Sequence, residues 1–346
     1  MTNLIKSEKV ARISDTVDEV VPPKPNLLIN GDFGIWQRGD IKNDAGYLAD
    51  RWRVRNTSRT GGTTIQDMVY STSAVQENGN WFFLKHTATN HTSSCYINQN
   101  IELTKNMASW SQEEFTVAVD FNFDNEVEMQ VSLYLVDASD HTNNLAIAES
   151  GYDVVTTGRQ TKIINLTTVD LAGLSASGFT PDYETDYIQL YVQYRDKNDG
   201  LGIPNGDYRF HNIKLEEGNT FTGWPYVDPA TELAKCQRYY HRITQPISSG
   251  AALCGVGLYN TATEVLVWAK MPTTMRKIPD VSYSSLADFD LEPFDVTPTT
   301  LTRTLHGSTP DTVGLKAIDG TSRTQGTAAA LVMEDANQWI DFDAEL

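Results

Sequence analysis

The sequence predicts an all-β protein with two β-sandwich (jelly-roll-like) domains. A short helix joins them, and a short helical or extended segment precedes them. Three observations carry this expectation. Apolar residues alternate with polar ones at period two, most clearly at Phe115, Val117, Val119, Phe121 and Phe123 and again at Val127, Met129, Val131, Leu133 and Leu135. One buried and one wet face produce that period in a strand. Short runs of this kind recur between clusters of Gly, Asn, Ser and Thr, without helices between them, as in a sandwich or jelly roll. A convincing helix start occurs once, at Asp228-Pro229-Ala230-Thr231.

The chain has 346 residues, enough for two domains and an appendage. Its net charge is −18, from 27 Lys and Arg against 45 Asp and Glu. Such a surface repels phosphate backbones, so nucleic acid is not an expected partner. Cys95, Cys236 and Cys254 are too few for a disulfide framework and are expected as buried thiols, in a protein assembled in a reducing cytoplasm. The amino terminus lacks the apolar core of a secretion signal, and no apolar run reaches membrane-spanning length, so no membrane insertion is expected.

Residues 1–25 differ in character from the rest of the chain. Val10, Ile13, Val17 and Val20 are spaced by three, four and three, the rhythm of a coiled-coil seam. Two heptads are too short to be stable alone. The segment is therefore either a flexible tail or a strip docked on another protein, or else a small trimeric stalk or anchor. Val21-Pro22-Pro23-Lys24-Pro25 then makes a stiff linker, because proline fixes φ and blocks helix.

Residues 26–228 read as one β-domain. It opens on Asn30-Gly31-Asp32, turn chemistry flanked by apolar anchors. Candidate strands cover 51–55, 81–86, 95–102, 115–123, 127–135, 160–166, 186–194 and 208–216. A hairpin between the two most regular of these, 115–123 and 127–135, faces a parity constraint. A two-residue turn would set Phe121 opposite Glu128 and put charge on the buried face. A three-residue loop, 124–126, pairs Phe121 with Met129 instead. The expectation is that odd loop, or two strands in different sheets. The apolar phase shifts between Phe210 and Ile213, which predicts a bulge near His211-Asn212.

Residues 229–245 form the junction helix. Asp228 is its N-cap and Pro229 its first residue, with Leu233, Ala234, Gln237, Tyr240 and His241 on one face. Residues 246–346 return to strands at 251–259, 265–271, 281–285, 311–318, 328–333 and 339–342, and form the second sandwich.

No catalytic set stands out. The histidines are scattered, and His211 lies in a strand as a packed or hydrogen-bonded residue. Glu216 and Glu217 are neighbours in a strand, so they point to opposite faces and do not converge as a glycosidase pair. Trp110, Tyr152, Tyr183 and Trp224 lie beside polar or turn-like segments, where aromatic rings serve either as sugar platforms or, the plainer role, as core. Trp36 and Trp52 are expected in the core, and Tyr239-Tyr240 between domains or subunits.

Three segments together resemble a known group. NLLINGDFGIWQRG at 26–39, followed by ADRW at 49–52, is similar to the start of carbohydrate-binding-module-like jelly rolls in bacteriophage tail and virion proteins. ELAKCQRYYHR at 232–242 resembles their junction helix. MPTTMRKIPDVSYS at 271–284 resembles the motif that comes next in their carboxy-terminal domain, with Met275-Arg276 and Pro279 matching. The order and spacing of the three fit, and they cover most of residues 26–346.

The resemblance implies a structural virion protein, not an enzyme. It would be a tail fibre or adhesin-like homotrimer, fixed to other virion proteins through residues 1–25 and attaching to host surface polysaccharide. A capsid fibre or decoration protein is the alternative, and a glycan depolymerase the third reading. No cofactor is expected. In modules of this shape an acidic residue after the first-strand Phe often helps hold a structural calcium. Here Gly34 follows Phe33. Asp32 and Glu216 retain oxygens for such an ion, but without that acidic residue no metal is expected.

Overall fold

The computed structural model describes residues 22–39, 41–42, 46–47, 49–56, 69–72, 82–89, 93–102, 110–137, 144–171, 186–198, 202–245, 251–334 and 337–345. Val10, Ile13, Val17 and Val20 lie outside the described residues.

The first part of the chain contributes β1 (Ile41–Lys42), β2 (Gly46–Tyr47), β3 (Arg53–Asn56), β4 (Val69–Thr72), β5 (Leu84–Ala88), β6 (Cys95–Glu102) and β7 (Glu114–Phe123). It continues with β8 (Val127–Val136), β9 (Asn144–Glu149), β10 (Asp153–Val155), β11 (Gly158–Thr167), β12 (Tyr187–Asp196) and β13 (Gly206–Glu217). They form two antiparallel sheets. The first runs β1-β4-β5-β13-β7-β11, and the second β10-β8-β12-β6-β3-β2, with β9 also on β8.

β7 and β8 do not form a hairpin. They lie in different sheets, the second of the two arrangements that parity allows. Their apolar faces meet across the sandwich, where Phe121, Phe123, Met129, Val131 and Leu133 are fully buried in one core. The chain crosses between sheets at 124–126, so neither face carries Glu128 inward. The register of β13 against β7 shifts between Phe210 and Asn212, the expected bulge.

The opening turn works differently from a glycine turn. Asn30 and Phe33 take the left-handed backbone, with φ of 56° and 58°. Gly31 is required for space: a Cβ there would lie 2.4 Å from both Asn26 Nδ2 and the carbonyl of Ile213. The buried Asn30 side chain holds the loop, donating to the carbonyls of Ile35 at 2.7 Å and Asp50 at 2.9 Å.

Helix α1 (Pro229–Gln237) begins at Asp228, whose side chain accepts from Thr231 N at 2.9 Å. It is shorter than expected. Tyr240 and His241 belong to a strand, β14 (Tyr240–Thr244), and not to the helix face. Their spacing from Gln237 is helical, but pairing across the chain wins. Ala344 N donates to the Tyr239 carbonyl at 2.7 Å, and β14 pairs along β22 (Trp339–Asp343).

Between them lie β15 (Ala252–Tyr259), β16 (Glu264–Lys270), β17 (Asp280–Tyr283), β18 (Phe289–Glu292), β19 (Thr300–Thr309), β20 (Thr312–Ile318) and β21 (Ala328–Met333). A three-stranded sheet, β14-β22-β17, and a six-stranded sheet, β18-β21-β15-β16-β20-β19, share a second core. That core includes Tyr259, Val267, Phe289, Leu315, Leu331 and Phe342. Among the described residues, no helix is long and apolar enough to cross a membrane.

Candidate functional site

The three sequence motifs meet in space, at the junction of the sandwiches. Gln37 donates to Asp50 Oδ1 through its backbone at 3.0 Å and to the Tyr240 carbonyl through its amide at 2.9 Å. Arg38 lies 3.8 Å from Asp50 and 3.4 Å from both Asp343 and Glu345, and its guanidinium sits 3.5 Å over the Tyr240 ring. Arg51, 1% exposed, pairs with Glu345, donates to the Asn100 carbonyl, and sits 3.4 Å over the Tyr239 ring. Glu232 of α1 accepts from Asn30 N, and Arg276 reaches Glu102 at 3.1 Å. Met275 is buried in the second core.

These residues are paired with one another. Burial pushes the Asp50 carboxyl up to about 6, with Arg38 and Gln37 pulling against it. The arrangement is a fastener between domains. Trp52 is fully buried here and donates to the Asn30 carbonyl at 2.7 Å. Trp36 is only half-buried, packed edge-on to Phe82.

The two carboxylates available for a calcium ion are not brought together. Glu216 is 1% exposed and pairs with Lys214 Nζ at 2.9 Å. The same ammonium donates to Thr222 Oγ1 at 3.0 Å and the Gly223 carbonyl at 2.7 Å. A fixed positive charge therefore already sits among these oxygens. Burial raises the Glu216 carboxyl, but hydrogen bonds from Lys214 and Thr222 outweigh it and hold it below the usual range. Asp32 accepts instead from Gly34 N at 3.2 Å. Elsewhere Asp290, Asp295 and Glu334 set carboxylate oxygens within 4.8 Å of one another; two of the three are exposed, and no other feature marks a site.

The surface best suited to a ligand is the outer face of the second sheet. Inward residues of β12 and β8 alternate with outward ones, so Tyr191, Gln193 and Arg195 share a face with Glu128, Gln130, Ser132 and Tyr134. Tyr96 and Asn98 of β6 continue it across Gln193 and Tyr191. The Tyr191 ring lies 4.9 Å from that of Tyr96 and 5.1 Å from that of Tyr134. All three are partly buried. Tyr134 donates to Glu149 at 2.8 Å, and burial together with that acceptor keeps its phenol protonated. Arg195 pairs with Glu128 at 2.8 Å and covers the Tyr152 ring at 3.4 Å.

Asn98, in the floor of this face, is 1% exposed, and neither its amide nitrogen nor its oxygen has a partner. Buried amides are normally bonded, so this one is an exception, and it lies beneath the face and out of reach of solvent. The face thus offers three aromatic rings, amides and hydroxyls, with its charges locally matched. It suits a neutral polyhydroxylated chain: ring faces take the apolar side of a sugar, and amides bond its hydroxyls.

The aromatic candidates of the sequence divide. Tyr152 joins this face. Trp110 stacks on Phe115 at 4.6 Å and is core. Trp224 lines a separate cleft. Tyr183 lies outside the described residues. Tyr96, Tyr134 and Tyr191 were not singled out by the sequence. The signal was present, in that Tyr191 alternates with the inward Leu190 and Val192, but only strand order shows three tyrosines converging. His211 is fully buried, 5.7 Å from the Phe83 ring, a packed residue. Cys95, Cys236 and Cys254 are buried free thiols, and burial pushes the Cys254 thiol up to about 12.

No protein-family model matches the sequence, and comparison with curated proteins found no match. Solved structures do match. A carbohydrate-binding module, TmCBM61, in complex with β-1,4-galactotriose is 13% identical with a TM-score of 0.29, over 56% of this chain and 100% of that one. The enzymatically active domain of tailspike protein 4 of bacteriophage CBA120 is 13% identical with a TM-score of 0.33, over 56% of this chain and 21% of that one. A xylan-binding domain from Paenibacillus barcinonensis Xyn10C is 10% identical with a TM-score of 0.32, over 58% of this chain and 99% of that one. Likenesses at these scores carry no functional information. The chain is an all-β protein of packed antiparallel sheets.

Proposed function

We propose that the chain is a structural attachment protein of a bacteriophage virion, without catalytic activity, that holds host-surface polysaccharide on the outer face of its second sheet. One observation carries the binding part: Tyr96, Tyr191 and Tyr134 lie side by side across three strands. The virion part rests on the sequence resemblance of the three motifs. A trimer seam at Val10, Ile13, Val17 and Val20 would multiply a weak single-site affinity, because linked sites bind at high effective concentration.

Binding to purified host polysaccharide, followed by surface retention, tests the face. Tyr191→Ala should weaken it by roughly tenfold or more, the value of about 1.4 kcal/mol of lost stacking. Unchanged retention would remove this face from the reading. Chain-length analysis of the same polysaccharide should show no shortening. Deleting residues 1–25 should abolish incorporation into particles while leaving both sandwiches folded, and solution mass should fall from trimer to monomer.

A further inference from the structure

A second concave site lies at the opposite kind of place, where the linker, the opening turn and α1 meet. The cleft is about 590 Å³ in volume. Pro23, Pro25, Trp224 and Tyr226 are among its lining residues. Asp32, from the opening turn, and Asn212, from the bulge of β13, contribute polar groups. The cleft is large enough for one or two sugar rings.

Its groups differ in how far they are already used. Asp228 is occupied as the helix cap, accepting from both the amide and the hydroxyl of Thr231 at 2.9 Å. Glu232 accepts from Asn30 N and pairs with Lys235 at 3.0 Å. Asp32, by contrast, meets only nearby backbone amides, that of Gly34 at 3.2 Å and its own, and no side chain. The Asn212 side chain makes no hydrogen bond to a described residue. Trp224 is held edge-on by Phe221 at 5.1 Å, which fixes its ring. Tyr226 is 89% exposed, a degree that a tyrosine without a partner rarely shows in a folded protein.

We propose that this cleft binds a neutral saccharide unit, with Trp224 and Tyr226 as ring platforms and Asp32 and Asn212 as hydroxyl partners. A carboxylate oxygen accepts from a sugar hydroxyl, and an amide both donates and accepts, so the pair fits a vicinal diol. Charge selects the class. Asp32, Asp228 and Glu232 face one lysine, Lys235, so the lining is net negative and repels an anionic sugar. The proposal rests on the reading of the protein as a glycan binder and adds a second, chemically separate site. Long chains lie across the tyrosine face, and a single terminal or branch unit enters the cleft.

The experiment uses the full chain with methyl glycosides of glucose, galactose and N-acetylglucosamine as probes, and glucuronate as the anionic comparison. Binding is read from the indole N–H resonance of Trp224, assigned by its loss in Trp224→Phe. At least one neutral glycoside should shift that resonance at millimolar concentration, and glucuronate should not. Asp32→Asn and Tyr226→Ala should each weaken the shift by roughly tenfold. Tyr226 is so exposed that its removal leaves the fold intact, and an unchanged melting temperature verifies this. Tyr191→Ala should leave the glycoside shift untouched while it weakens polysaccharide retention. No shift with any neutral glycoside at high-millimolar concentration overturns the cleft. Equal binding of glucuronate, or a shift insensitive to Asp32→Asn and Tyr226→Ala, also overturns it. If the cleft variants matter and Tyr191→Ala does not change retention, the tyrosine face fails and the cleft stands.

Discussion

Replacing Lys214 by Met should cost the first sandwich more than most single substitutions, and the cost should depend on pH. The ammonium is fully buried and makes three contacts, to Glu216, Thr222 Oγ1 and the Gly223 carbonyl. Met fills the same volume but leaves the Glu216 carboxylate buried without its counter-charge. Breaking a buried pair in this way costs about 3–5 kcal/mol. For a domain of this size each kcal/mol moves the midpoint by about 2–4 °C, so the expected loss is roughly 6–20 °C at neutral pH.

The pH dependence comes from Glu216. In the native protein its carboxyl is held below the ordinary range. A depressed carboxyl contributes stability that is present above the unfolded pKa and lost as pH falls through the folded one. Without Lys214, burial dominates and the carboxyl rises, so the variant protonates it in the folded state as pH falls. The gap between variant and parent should therefore narrow between pH 7 and pH 4. Lys214→Met combined with Glu216→Leu removes the orphaned charge and leaves mainly the Thr222 amide without its 2.9 Å acceptor, a loss of about 1 kcal/mol. Calorimetry of the full chain across that pH range measures all three. The reasoning fails if the double variant is no more stable than Lys214→Met, or if the gap is the same at both pH values.

Arg51→Ala should destabilise the junction by about 1.5–3 kcal/mol, because Glu345 keeps only its 3.4 Å contact to Arg38 and the Asn100 carbonyl loses its donor; separate unfolding transitions for the two sandwiches are the expected readout, and a single unshifted transition would count against it. Asp50→Asn tests a raised carboxyl. The native state binds more protons than the unfolded one between pH 4 and the folded value of about 6, so this group makes stability fall as pH rises through that window. The variant should lose that slope, up to about 1.4 kcal/mol per pH unit, in denaturant titrations at pH 4, 5 and 6. Gly257→Ala places a Cβ 1.8 Å from the Leu266 carbonyl, so β15 and β16 must part. A loss of about 1–3 kcal/mol or more, confined to the second sandwich, is expected in the same titrations.

How far the sequence was legible depended on the range of the interactions. Period two placed β7, β8, β12 and β13, because the alternation of apolar and polar residue types is local, even in β7, where Thr116, Ala118 and Asp120 on the polar side are buried as well. Asp228 and Pro229 located the start of α1 for the same reason: a cap acts within four residues. The end of α1 was not legible, since Tyr240 is drawn out of helical register by β22, a hundred residues away. The strands β18 and β19 were missed because Asp290, Glu292 and a run of threonines break the apolar rhythm. The candidate face depended on strand order. Tyr96, Tyr134 and Tyr191 stand far apart in the chain, and only the sequence of β8, β12 and β6 within one sheet brings them together.

The fastener at the junction also sets an order of events during synthesis. β22 is the middle strand of its sheet, between β14 and β17, and the residues just after it supply the partners of Arg38 and Arg51. The first sandwich has its strands in hand by residue 217, yet Arg51 has no carboxylate to meet until Glu345 leaves the ribosome. A chain cut short of β22 would therefore leave Arg51 without its carboxylate and Arg38 with Asp50 alone. Arg51 and Glu345 stand nearly three hundred positions apart, so the base of the first sandwich is sealed only when the second is folded beside it.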